Sequence, residues 1–291
     1  MSVAWNWQEL MSAHEQRVDE LLAGHLQRRT AGQAHPVEDF LFTYYSYRPS
    51  QLRRWHPGFG VVLPSQAPHA AWARYAYDAT GRVHVDPDLL TRKQSTIEFV
   101  RTLQERIATR PPHLGCLGLH EWAMVYRAGS GQVRHAEYPL RLGTAGTDEV
   151  VDAHRVSCTH YDAFRFFTED ARPHNTLEPT RARQVELDQP GCLHVGMDLY
   201  KWSSKLSPLV PSELVVDCFV LARDIRTLDM RASPYDLSSL GYPPVRIETP
   251  EGKAEYIAAQ RAFTERAAPL RERLLAHIRD LTARGRSTPA R

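Results

Sequence analysis

Thr249-Pro250-Glu251 places a capping hydroxyl ahead of a proline at the first helical position, with an acid in the first turn. That order satisfies orphan amides and suits the positive end of a helix. The helical pattern behind it runs to about Ala283, and Pro269 within it is expected to interrupt and kink the helix, since proline removes a backbone donor and crowds the preceding turn. A helix with one apolar stripe does not stand alone in water. Two other segments offer it partners. Trp7, Met11, His14, Val18, Leu21 and His25 recur at helical spacing over 7–29, and Leu214, Cys218, Leu221, Ile225 and Leu228 share one face of 212–230. These three helices are expected to pack on one another.

The remaining pattern is also mostly helical. A helix is expected after His35-Pro36, with Val37, Phe40, Leu41 and Tyr44 as its stripe, continuing through Tyr47 until Pro49 discourages it. Prolines and glycines between Trp55 and Pro87 predict a loop with one strand pair, near 72–77 and 83–85. Helix returns over 88–109, 160–168 and 193–206, 150–156 reads as a strand, and the apolar stretch 114–126 fits either type. The fold class is mainly α, with α+β as the alternative. One globular domain spans 1–284, with a small strand-containing middle region, and 285–291 reads as a disordered tail.

Lys plus Arg exceed Asp plus Glu by two in 291 residues, too balanced for the strong field of a dedicated nucleic-acid coat. Cys116, Cys158, Cys192 and Cys218 form no C-x-x-C pair, so reduced and mostly buried thiols are expected. Glu15, Asp19 and Glu20 break any apolar run near the start, which argues against a leader or membrane anchor and for a cytoplasmic protein. Glycine-rich dinucleotide and Walker loops and a serine elbow are missing, so no cofactor is expected.

On a helix, 194–206 sorts into two stripes. Val195, Leu199, Trp202 and Leu206 are apolar; His194, Asp198, Lys201 and Lys205 form a polar line beside them. That line suits an anionic substrate, although a solvated face with helical ion pairs is the simpler account. His154, His160, Asp162 and His174 supply metal-type side chains without any metal-motif spacing, and Asp162 can pair with Arg165 one turn on. His14 and His25 lie about 16 Å apart at 1.5 Å per residue, too far for one ion. Tyrosines at 44, 45 and 47, the aromatics of 161–167 and those of 200–202 are interleaved with Arg48, Arg53, Arg54, Arg165 and Arg172, a mixture that suits a flat anionic ligand as well as core packing.

Four stretches resemble a group of bacterial proteins commonly labelled 3-methyladenine DNA glycosylase. They are 35–49, with Tyr44-Tyr45-Ser46-Tyr47-Arg48-Pro49; 118–127, with His120-Glu121-Trp122; Met197-Asp198-Leu199-Tyr200-Lys201-Trp202; and 228–237, with Ser233-Pro234-Tyr235-Asp236. The resemblance implies an N-glycosylase-like hydrolase acting on a nucleobase in DNA or a nucleoside. The chain departs from helix-hairpin-helix glycosylases in having no glycine-rich hairpin. Such a reaction needs a carboxylate, stacking planes and phosphate contacts. Asp198 and Asp162, with His194 and His160, are the candidate catalytic groups; Tyr44, Tyr45 and Trp202 are candidate platforms; Lys201 and Arg165 are candidate phosphate contacts. The second reading is a small-molecule metalloenzyme using members of His120, Glu121, His154, His160, Asp162, His174 and His194. The third is a ligand- or partner-binding protein without catalysis. A cleft is expected where the polar line of 193–206 meets the segment 160–167, lined by Asp198 and Lys201 on one side and by His160, Asp162 or Arg165 on the other.

Overall fold

The helix Ser212–Arg231 is buried almost all round, because Val215, Val216, Phe219, Ala222 and Met230 add to the stripe of Leu214, Leu221 and Ile225. A helix apolar on every side belongs in the middle of a protein, and the other elements assemble about it. In the computed structural model, which describes residues 6–129, 135 and 137–287, the chain is mainly α and forms one compact domain. In chain order the elements are α1 (Trp7–Thr30), α2 (Phe40–Tyr44), α3 (Pro49–Leu52), β1 (Val62–Leu63), β2 (Tyr75–Tyr77), β3 (Val83–Val85), α4 (Asp88–Arg92), α5 (Gln94–Ala108), α6 (Leu119–Ala123), α7 (Gly143–Asp152), α8 (Tyr161–Phe164), α9 (Gln184–Leu187), α10 (Leu193–Leu206), α11 (Ser212–Arg231) and α12 (Pro250–Ser287).

The helix α10 lies closest against α11. Gly196 makes this approach possible, since a Cβ there would stand 2.8 Å from Ile225 Cδ1. The long helix α12 covers α10, α11 and α5, while α1 lies on α11. Thr249 accepts the amide of Gly252 at 3.1 Å, as its capping position predicts, and α12 continues through Pro269. On the surface Asp217 of α11 accepts from Arg17 of α1 at 2.8 Å and from Arg273 of α12 at 2.7 Å, so one carboxylate touches all three long helices. The three-stranded antiparallel sheet has the order β1-β3-β2 and buries Val83 and Val85. Beside it Trp7, Trp55, Leu63 and Val83 form a small second core.

Several elements differ from expectation. The segment 150–156 is not a strand. Thr147, Val150 and Val151 are buried at i, i+3, i+4 spacing within α7, and that packing outweighs the β preference of adjacent valines; Val156 makes only an isolated bridge to Asn175. The helix expected through Tyr47 ends at Tyr44, because Tyr45 and Arg48 are extended ahead of Pro49. The stretch 88–109 splits at Lys93 into α4 and α5, and 160–168 shortens to α8. The last helix runs to Ser287, into the stretch read as a disordered tail, and residues 288–291 lie outside the described residues. Among the described residues, no helix is long and apolar enough to cross a membrane.

Candidate functional site

The polar line of α10 is not a solvated face. Asp198 is 3% exposed, His194 is half-buried, and only Lys205 at the far end is open to solvent. The cover comes from the extended Tyr45 segment and from α8. Tyr45 leaves its helix and turns its hydroxyl to Asp198 Oδ1 at 3.4 Å. His160, immediately before α8, places Nε2 3.2 Å from Asp198 Oδ2. Lys201 donates to the same oxygen at 3.0 Å and to Asp162 at 2.8 Å, and Arg165 pairs with Asp162 at 3.2 Å.

Six groups from three segments are thus connected, five of them in one ionic network and Tyr45 as a neutral donor to it. Burial opposes the charge on Asp198, but Lys201 and His160 outweigh it and hold the carboxyl far below its usual range. Burial likewise opposes the charges on Lys201 and His160, and the carboxylates raise both. Burial and the neighbouring Asp198 carboxylate raise Tyr45 well above the phenol range, so it stays a donor.

A cleft of about 350 Å³ opens over this network, between Tyr44 and Lys201. Arg74, Lys93, Arg165, Lys201 and Lys205 line it, against one acid, Asp162. The end of α10 explains two of these cations: Arg74 donates to Ser207 O and Lys93 to Lys205 O, where a helix presents free carbonyls and a negative end. Tyr44 stacks on Phe40 at 5.1 Å and stands edge-on to Tyr45. Asp198 and His160 lie beneath the wall and do not line the cleft. Trp202 also lies off it. That ring packs on Phe99, with the ammonium groups of Lys201 and Lys205 over it, and faces a separate depression of about 490 Å³. A wider groove of about 890 Å³ between α1 and the 45–49 segment contains neither Asp162 nor Asp198.

A second cluster adjoins the first through His194, whose ring stacks on His160 at 5.3 Å and meets His120 edge-on at 4.4 Å. His120 Nε2 stands 2.8 Å from Asp229 Oδ1. Arg226 donates to Asp229 Oδ2 and to Glu121, each at 2.8 Å. Burial, with His120 next to it, lowers His194 well below the usual imidazole range. Asp229 and Arg226 escape sequence reasoning, although Asp229 follows Ile225 by one turn and therefore falls on a face that is otherwise apolar.

Other candidates sit elsewhere. His154 bonds Val150 O, and His174 packs on Tyr126 near Asp152, so neither joins the cluster. His14 bonds Leu52 O and His25 bonds Asp39. All four cysteines are free, and three are buried.

No family model, curated protein or solved structure matches this chain. What the site does must be read from its geometry.

Proposed function

We propose that the protein is an N-glycosylase-like hydrolase acting on a phosphate-bearing nucleoside bound in the cleft between Tyr44 and Lys201. The observation that carries this reading is the lining itself: five cations and one half-buried carboxylate face a tyrosine across about 350 Å³. A space of that size suits a small ligand. The overall charge of +2 favours a nucleotide over duplex DNA, whose grip relies on many phosphate contacts. Arg74, Lys93 and Lys205 take the phosphate, and Tyr44 offers its face to the base.

Asp162 is the carboxylate that can reach substrate. Held by Lys201 and Arg165, it faces the anomeric carbon, steadies the positive charge that develops on the sugar as the C–N bond breaks and accepts a proton from the attacking water, while the base leaves with the bonding electrons and takes up a proton from solvent. Asp198 and His160 act through Lys201 as positioning residues, because neither touches the cleft. Lys201→Met should weaken adenosine 5′-monophosphate binding about tenfold or more, a loss of ~1.4 kcal/mol, read by isothermal titration. Base release from nucleotides and from alkylated DNA is followed chromatographically. Binding without base release from any probe overturns the hydrolase assignment, and absence of binding as well overturns the cleft as the site.

One feature favours a second reading, a binding protein without catalysis. Asp162 is already engaged by two cations, which leaves less of its carboxylate free to meet a substrate. Tight nucleotide binding with no base released would support this reading.

A further inference from the structure

We propose that His120, His194 and Asp229 hold a divalent transition-metal ion, in a centre distinct from the cleft and independent of the reaction assigned to it. The three come from α6, α10 and α11, and one ligand atom from each lies within 4.8 Å of the others. With metal–ligand bonds of about 2.0–2.2 Å, cis ligand atoms stand about 3 Å apart. The His120–Asp229 pair is already near that separation, and a side-chain rotation of His194 closes the rest.

Hydrogen bonding points the same way. The 2.8 Å ion pair between His120 Nε2 and Asp229 Oδ1 lies off hydrogen-bond geometry, and among the described residues neither buried atom has another hydrogen-bond partner. Native proteins seldom leave such atoms unsatisfied. The other ends of both side chains are held. Asp229 Oδ2 accepts from Arg226, and His120 Nδ1 faces the Cys116 sulfur at 3.9 Å. An outer partner on one side with a bare atom on the other is how metal-binding imidazoles and carboxylates are oriented.

Charge and backbone add to this. Glu121 and Asp229 against Arg226 leave one negative charge in the interior when the imidazoles are neutral; a metal ion can balance it, as can a proton on His120, which the Asp229 carboxylate holds well above the usual imidazole range. The turn that delivers His120 is strained. Leu117 and Gly118 are both left-handed, at φ +50° and +71°, and only the second is a residue that adopts this conformation freely. His194 and Cys116 are partly exposed, which gives an ion a way in. Two imidazoles and one carboxylate leave coordination positions open, a set suited to Fe²⁺ or Zn²⁺.

The test uses full-length, untagged protein. Metal is measured by mass spectrometry after purification without chelator, and stripped protein is titrated with Zn²⁺ and, for its visible absorption, with Co²⁺. About one ion per chain is expected, with thermal stabilisation that grows with metal concentration. His194→Gln should weaken metal binding about 100-fold or more, at least the loss seen when an outer partner of a ligand is removed. Lys201→Met should leave metal binding unchanged, so the cleft and the centre can fail separately. Stripped protein that takes up neither metal overturns the proposal, and so does equal affinity in a folded His194→Gln variant; His120 and Asp229 are then a proton-sharing ion pair.

Discussion

Replacing Asp188 with asparagine is expected to stabilise the protein at neutral pH, although the side chain is buried and hydrogen-bonded. Asp188 is 1% exposed, and burial pushes its carboxyl up from 3.8 to about 6. Nearby Asp198 adds to the rise, while His160 and the amide of Gln184, 2.9 Å from Oδ2, oppose it. Between about pH 4 and 6 the folded protein therefore holds a proton that the unfolded chain has released, and stability falls as pH rises through that window. Above it the full penalty remains. A displacement of about two units corresponds to ~3 kcal/mol. Asparagine escapes this penalty and can still accept from Gln184. Its own NH₂ would occupy the place of Oδ1, which has no hydrogen-bond partner among the described residues, at a cost of ~1–3 kcal/mol. The net gain at pH 8 should therefore be about 1 kcal/mol, turning into a loss below pH 4. Urea unfolding from pH 4 to 8 measures both proteins. The slope is the discriminating quantity, because the cost of the unsatisfied NH₂ does not change with pH. If wild type and variant change in parallel across pH 4 to 6, Asp188 is ionised throughout and the reasoning is wrong.

The core makes simpler demands. Leu214→Ala or Ile225→Ala should each cost ~2–5 kcal/mol, since both side chains are fully buried on α11; a loss near zero in chemical denaturation would mean that α11 is not the centre of the core. Gly118→Ala should destabilise by more than the ~1–2 kcal/mol of left-handed strain alone, because the new methyl would meet Ala232 Cβ and Tyr256 at 3.3 Å. An unchanged melting temperature would refute that account of the turn before α6.

Legibility in the sequence followed how local the determining contacts are. The bounds of α10, α11 and the start of α12 can be read from periodicity and capping, because each carries its stripe or its cap within its own residues. Tyr45 cannot be placed that way. Its departure from the helix is governed by Pro49 downstream and by Asp198 on a distant element. The Val150-Val151 pair misleads because β preference is a local signal, whereas the helix is decided by what those valines pack against. The same divide holds in the site. His194, Asp198 and Lys201 share one helix and their alignment is visible at once, and α8 lies beside them. The solvated-face account fails because nothing local announces the cover that Tyr45 and α8 provide. Asp229 and Arg226 reach His120 from another helix, and their only local trace is a charged pair on a buried face.

The placement of α12 has a consequence for how the chain is made. This helix buries Tyr256, Gln260, Leu274 and Ile278 against elements translated long before it, and Tyr256 closes over the turn at Gly118. At roughly 5–20 residues per second, α12 follows α11 out of the ribosome by seconds. For that interval the faces of α10 and α11 that α12 covers in the finished protein lack their native cover. The nascent chain must therefore wait in a sticky, half-closed state, and it is there, more than in the finished protein, that chaperones and proteases would find their opening.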